Sequence, residues 1–189
     1  MKRQSSGSAA SGPAFSTQQL VTMALFAALL CVSAYISIPL PIPGAPHITL
    51  LNFVIILLPL VFSPVESFLI ILVWMLLGAV GLPVFIGGRA GIGYLLAPWG
   101  GYTVSYPFTA FLLPPVRGNS YSRIRYTAAA MLGVLFIDIF GMCWLMVMNH
   151  LDLKTALLTG LIVFLPLDIL KALAAAQIAP AISRAVRTH

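Results

Sequence analysis

The sequence predicts an all-α integral membrane protein of six transmembrane helices, with both termini cytoplasmic and an outward-facing pocket capped by loops. Three observations carry this. Of the 189 residues, 60% are hydrophobic and 7% charged, whereas an average soluble domain is about a quarter charged. At roughly 20 apolar residues per helical span, the length accommodates about six spans and almost no separate soluble domain. The ten Lys and Arg outnumber the four Asp and Glu, and they segregate by position. An even number of spans puts Lys2, Arg3, Arg117, Arg123, Arg125, Arg184 and Arg187 on one side, with Arg89 and Lys154 opposite. The richer side faces the cytoplasm, so the excess of base marks topology and does not point to nucleic acid.

Taken in order, Met1 to Thr17 is rich in Ser, Gly and Ala without apolar periodicity and reads as a disordered cytoplasmic tail, leaving residues 18–189 as one six-helix membrane domain. The spans are expected near Gln18 to Ile38, Ile48 to Phe62, Val65 to Val80, Gly101 to Leu113, Tyr126 to Met148, and Thr155 or Pro166 to Ala185. The first run is not expected to be a cleaved signal peptide, because a long tail precedes it and membrane sequence continues after it. Cys31 and Cys143 both fall inside apolar runs and read as small core residues, not as a disulfide framework. Ser63-Pro64-Val65-Glu66 has the form of a capping box with proline at the first helical position, which assigns Glu66 to a helix start.

The two longest outer connections, Pro39 to His47 and Gly81 to Gly100, are rich in Pro and Gly yet apolar. Irregular backbone at membrane depth is tolerated where it is buried in protein or lines a cavity. These loops are therefore expected to fold back over a pocket that opens outward.

Asp138, Asp168 and Lys171 remain inside apolar runs, and Arg89 sits in a Gly-rich outer loop. Each intramembrane charge costs a few kcal/mol on insertion scales and marks a candidate site. Asp168 and Lys171 stand at i and i+3 on one helical face, and Pro166 is placed to begin that helix with Asp168 in its first turn. The pair either holds a ligand or neutralises itself. Arg89 reads as an anion anchor, since guanidinium binds carboxylate through two parallel hydrogen bonds, or as a head-group contact. Tyr94, Trp99 and Tyr102 form either a ligand wall or an interfacial belt. The glycines of residues 87–93 do not make a phosphate loop, because no strand precedes them and no Gly-Lys-Ser/Thr follows. No ATPase motif, cofactor site or metal site is expected. The spacing Ala24-x-x-x-Ala28 suits close approach of another membrane helix and equally suits internal packing.

Several segments, in order, carry a family likeness. Ile36-Ser37-Ile38-Pro39-Leu40-Pro41, His47-Ile48-Thr49-Leu50, Leu77-Gly78-Ala79-Val80-Gly81-Leu82-Pro83-Val84-Phe85 with Gly87-Gly88, Ala97-Pro98-Trp99-Gly100-Gly101-Tyr102, and Phe164-Leu165-Pro166-Leu167-Asp168-Ile169-Leu170-Lys171-Ala172 resemble BioY, the biotin-binding S component of energy-coupling factor (ECF) transporters. The resemblance implies a multi-pass vitamin-binding subunit of a prokaryotic plasma membrane that is not itself an enzyme. Its implied partners are a coupling membrane protein and a pair of ATPases, and Ala24 and Ala28 match the family's docking surface. Asp168 and Lys171 match polar ligand-binding positions, and Arg89 matches a ligand-contacting loop position. Biotin needs a cation for its carboxylate, donors and acceptors for its ureido ring, and an apolar groove. Lys171 or Arg89 can meet the first need and Asp168 the ureido N–H groups, with Trp99, Tyr102 and Asp138 as further lining. The chain departs from the family pattern at Leu51, Trp99 and Asp138, so a different small vitamin or carboxylate in the same architecture is an alternative. A remote alternative is an intramembrane hydrolase in which Asp138 and Asp168 form an acid/base dyad.

Overall fold

The computed structural model of the chain describes residues 15–38 and 48–187. The tail over residues 1–14 and the outer loop from Pro39 to His47 lie outside the described residues. Helix α1 spans Thr17–Ser33. It begins one residue before the expected span, because Ser16 and Gln19 form a reciprocal capping box that satisfies two free amide donors at the helix start. Met23, Ala27, Leu30 and Ser33 form its buried stripe, facing α2 (Leu51–Val61) and α3 (Pro64–Ala79).

The expected first span to Ile38 is too long. The helix stops at Ser33, and Ser37–Ile38 (β1) pairs antiparallel with Ile48–Thr49 (β2). Ile38 precedes Pro39, and a residue before proline is driven out of the helical region toward extended backbone. Helix α2 follows, with nine of its eleven residues buried, and it packs against α1, α3, α5, α6 and α8 as the bundle's central helix. The Ser63–Glu66 capping box expected at the start of α3 is present, Glu66 accepting from Ser63 N at 2.9 Å and Ser63 Oγ from Glu66 N at 3.3 Å.

After α3 the chain turns through a 3-10 turn at Ile86–Gly88 and the short α4 (Ile92–Leu95) before entering α5 (Gly100–Arg117). Phe85 inserts from this connection into the bundle end, where it is fully buried, edge-on to Trp74 at 5.3 Å and stacked on Tyr94 at 4.6 Å. Gly78 makes room for it, since a Cβ there would lie 2.2 Å from the Phe85 ring. Trp74 Nε1 donates to Val84 O at 3.0 Å, and Gly91 N to Gly78 O at 2.7 Å. The Gly81–Gly100 segment is thus pinned across the end of the bundle.

Helices α5 and α6 (Arg123–Met148) pack along each other, and α8 (Leu165–Arg187) lies against α2 and α6. Helix α7 (Leu153–Leu157) leads into α8 through a wide π turn at Leu158–Ile162. Pro166 explains the turn: it has no N–H to offer Ile162 O, and its ring would collide with that carbonyl in a regular helix. Regular bonding resumes with Asp168 N to Phe164 O at 3.0 Å.

Two helical stretches, Arg123–Met148 and Leu153–Val186, are long and apolar enough to cross a membrane, while Thr17–Ser33, Leu51–Val61 and Pro64–Ala79 are apolar but shorter. The expectation that both cysteines are core residues needs correction. Cys143 is exposed on the outer face of α6 and Cys31 is half-buried, both as free thiols; the buried stripe of α6 runs through Gly141, Met142 and Leu145 and leaves Cys143 outside. Arg117, counted above among the basic residues of the cytoplasmic side, is buried. Its guanidinium donates to Leu60 O at 3.0 Å and Phe62 O at 2.9 Å, carbonyls that the end of α2 leaves without intrahelical partners.

Candidate functional site

At the end of the bundle beneath the Gly81–Gly100 segment, side chains from five elements converge on a cavity of ≈ 30 Å³. Thr49 comes from β2, Asn52 from α2, Tyr102 and Tyr106 from α5, Asp138 from α6, and Asp168 and Lys171 from α8; Ile86, Phe164 and Leu167 supply apolar wall. That volume holds about one water, so larger occupants require the wall to move.

Asp168 is 4% exposed, and a carboxylate so desolvated persists where its oxygens are satisfied. Oδ1 accepts from Lys171 Nζ at 2.7 Å, one turn along the same helix. Oδ2 accepts from Asn52 Nδ2 at 3.1 Å, and Asn52 Oδ1 in turn accepts from the Tyr106 hydroxyl at 2.8 Å. A continuous chain of hydrogen bonds therefore runs from α5 through α2 to α8. Each member is held by a partner on another element, which fixes the carboxylate plane. Asp138, 1% exposed on α6, presents Oδ2 without a hydrogen-bond partner among the described residues. The carboxyls of Asp138 and Asp168 share no hydrogen bond, whereas a dyad passing one proton would need them in direct contact.

The wall is aromatic. Trp99 stacks on Tyr102 at 6.1 Å and 25°, and Phe164 meets both rings edge-on. Tyr102 presses against α6 where Gly141 gives space, a Cβ there falling 2.2 Å from its ring. Its hydroxyl donates to Gly160 O inside the π turn, tying the cavity wall to the bend ahead of Asp168. Trp99 sits behind Tyr102, half-buried, and does not itself line the cavity.

The residues singled out in the sequence distribute unevenly. Asp138, Asp168, Lys171 and Tyr102 share the cavity. Arg89 is exposed in the overlying segment, where its carbonyl accepts from Phe85 N at 3.0 Å, and it is not among the lining residues. Leu51 is fully buried in the apolar core and does not reach the cavity. Ala24 and Ala28 are exposed on the outer face of α1, among exposed Val21, Leu25, Leu29 and Val32. Sequence reading missed Asn52, Tyr106, Thr49 and Phe164. Asn52 carried a signal: it is the one polar side chain in the stretch Leu51–Val61, and a search confined to charged residues passes over it.

Comparison with known proteins agrees with this architecture. The profile of the BioY family matches residues 3–188. The chain is 37% identical to the probable biotin transporter BioY of Pyrococcus horikoshii over 86% of its length and 94% of that protein. It is 34% identical to the biotin transporter BioY of Thermotoga maritima, again over 86% of this chain and 94% of the relative. Its fold resembles a crystal structure of the S-component for biotin from an ECF-type ABC transporter, with a TM-score of 0.79 and 26% identity, covering 93% of this chain and 96% of that one. The chain belongs to the BioY family.

Proposed function

We propose that this protein is the substrate-binding membrane subunit of an ECF-type transporter, taking up biotin with ATP hydrolysed by partner subunits. The observation that carries the reading is the pair of buried Asp168 and half-buried Lys171, held at the end of the bundle under a segment that folds back over it. A ligand rich in N–H donors suits such a cavity, because two acids and one lysine line it. The ureido ring of biotin offers two N–H groups and one carbonyl. Lys171 Nζ is committed to Asp168, which favours Arg89, exposed above the cavity, as the partner of the carboxylate. Tyr102 and Phe164 then flank the thiophane ring and chain, with Trp99 stacked behind Tyr102, and they move outward to admit a molecule larger than ≈ 30 Å³.

Charge and packing support a bilayer placement. Ser16, Gln19, Arg117 and Val186 border one groove, so the two ends of the described chain meet at one end of the bundle, opposite the Asp168 cavity. Arg117, Arg123, Arg125 and Arg184 belong to that end, which makes it cytoplasmic and the cavity outward-facing. Six crossings, by α1, α2, α3, α5, α6 and α7–α8, satisfy this arrangement, and the shorter helices rely on neighbours to complete their burial. Ala24 and Ala28 offer the docking face for the coupling protein. A second reading, a different vitamin in the same site, is favoured by Asp138 alone among the departures, since it lines the cavity and Leu51 does not.

Equilibrium binding by the purified protein in nanodiscs tests the assignment. Wild type should bind biotin saturably. Asp168→Asn and Lys171→Ala should each weaken binding by about tenfold to a hundredfold, the worth of a charge-assisted hydrogen bond, with a much smaller effect on folding. Wild-type affinity in either folded variant overturns the role of the pair, and a co-purifying vitamin other than biotin establishes the second reading.

A further inference from the structure

The hydrogen-bond chain behind Asp168 determines more than the position of one carboxylate. Asn52 carries two N–H donors and a carbonyl oxygen with two lone pairs. One donor goes to Asp168 Oδ2 at 3.1 Å, and the oxygen receives the Tyr106 hydroxyl at 2.8 Å. The assignment of its amide ends is forced. An ionised carboxylate accepts and cannot donate, so the NH₂ end must face Asp168 and the oxygen must face Tyr106. Tyr106, 1% exposed and 6.1 Å from Trp74 between ring centroids, holds the oxygen end in place, but its hydroxyl can donate or accept, so it is the carboxylate of Asp168 that fixes the amide. Asn52 is consequently locked, and its second N–H has no hydrogen-bond partner among the described residues, on a half-buried side chain that lines the cavity.

We infer that Asn52 is a specificity-determining residue which, side by side with Asp168, reads the N–H and C=O edge of a cyclic urea or cis-amide. The inference rests on the ligand class proposed above. Asp168 offers an acceptor to the ring N–H, and the second N–H of Asn52 offers a donor to the adjacent carbonyl oxygen. Two neighbouring groups of opposite hydrogen-bonding sense match that edge and mismatch one in which the carbonyl is replaced by a donor. A site that holds hydrogen-bonding groups in fixed orientation discriminates strongly against a ligand that leaves them unpaired.

The test compares biotin with 2-iminobiotin, whose guanidinium-type ring replaces the carbonyl acceptor with a donor, using the full chain in nanodiscs at neutral pH. Wild type should prefer biotin. Asn52→Asp replaces the donor with an acceptor and should move the ratio of the two Kd values at least tenfold toward 2-iminobiotin. Asn52→Ala removes the donor without adding charge and should narrow the same ratio, which keeps the test available if the aspartate variant does not fold. A purely structural Asn52 would weaken both ligands alike, so an unchanged ratio in a folded variant overturns the inference while leaving biotin binding intact. Failure of the wild type to bind biotin at all is a separate outcome, which removes the ligand class and this inference together.

Discussion

Arg117, near the end of α5, donates through its guanidinium to the carbonyl oxygens of Leu60 and Phe62 at 3.0 and 2.9 Å, and so closes the end of α2. A third contact, 3.5 Å from the hydroxyl of Tyr126, ties in α6. The planar fork of arginine suits two carbonyls displaced along one helix end, and a lysine ammonium cannot span them in the same way. The cation also complements the negative end of the α2 dipole.

Arg117→Ala should therefore destabilise the protein by about 2–4 kcal/mol, through unpaired buried carbonyls and lost packing of the arginine stem. Arg117→Lys should recover part of that loss and not all of it. Thermal unfolding in a fixed detergent measures both. A melting temperature for Arg117→Ala equal to wild type would show that water serves these carbonyls as well as the guanidinium does.

The contrast between Arg117 and Asp168 shows which properties a sequence displays. Asp168 is conspicuous because a charge within an apolar run has no local excuse, and its i, i+3 spacing already names Lys171 as its partner. Arg117 stands where a cytoplasmic loop is expected to begin, so its charge looks accounted for, and its burial depends on Leu60 and Phe62, more than fifty positions away. Helix positions were legible for the same reason as Asp168: apolar runs and the Ser63–Glu66 box are local. The π turn at Leu158–Ile162 and the early end of α1 have local causes in Pro166 and Pro39, but the apolar runs do not show at which residue each break falls, and the inward turn of Phe85 depends on Trp74 and Gly78 across the bundle end. Asn52 lies between these cases, visible as the lone polar residue of α2 but meaningful once Tyr106 and Asp168 are seen at its two ends.

Gly141 is the counterpart of Tyr102. Its Cβ position lies 2.2 Å from that ring, so Gly141→Ala must push Tyr102 away from α6. Overpacking of this kind costs about 1–3 kcal/mol, and the displaced ring also loses its hydroxyl bond to Gly160. The expected result is both a lower melting temperature and weaker biotin binding. Adding Tyr102→Leu should restore stability without restoring binding. Because the residues touch, the double-mutant cycle should show non-additive stability effects, and strictly additive ones would place the strain elsewhere.

Asp152 gives the loop before α7 a pH dependence whose direction is fixed. Its carboxylate caps α7, accepting from Thr155 N at 3.1 Å and Thr155 Oγ1 at 2.6 Å, and these bonds hold its pKa below the ordinary aspartate value. A group depressed in the folded state contributes stability above its unfolded pKa and loses it as pH falls through the folded one. Hydrogen exchange at residues 153–157, corrected for intrinsic rates, should therefore lose protection as pH drops from about 4 toward 3, near and below the usual carboxylate range. Asp152→Asn keeps a capping oxygen but cannot titrate, so its protection should be flat over that interval. A wild-type profile equally flat would remove the carboxylate from the account of the cap.

In the proposed function the outer face of α1 serves assembly and not the ligand. Ala24 and Ala28 are exposed one turn apart, while Ala27 and Leu30 of the same helix face the bundle. Small residues on a lipid-facing surface allow a second helix to approach backbone to backbone, and association in a bilayer depends on that closeness because lipid supplies no hydrophobic drive. Ala24→Trp fills the approach and should abolish assembly with the coupling protein and ATPases. It should leave biotin affinity within about twofold of wild type, since Ala24 is exposed and is not among the residues that line the cavity. Ile139→Trp serves as the control for bulk alone: Ile139 is exposed on α6, a helix that does not pack closely on α1, and its replacement should leave the complex intact. Co-purification of tagged coupling protein with each variant gives the readout. Full assembly of the Ala24 variant would exclude this face and direct attention to other exposed apolar helix surfaces, whereas failure of the Ile139 variant alone would place the interface on α6.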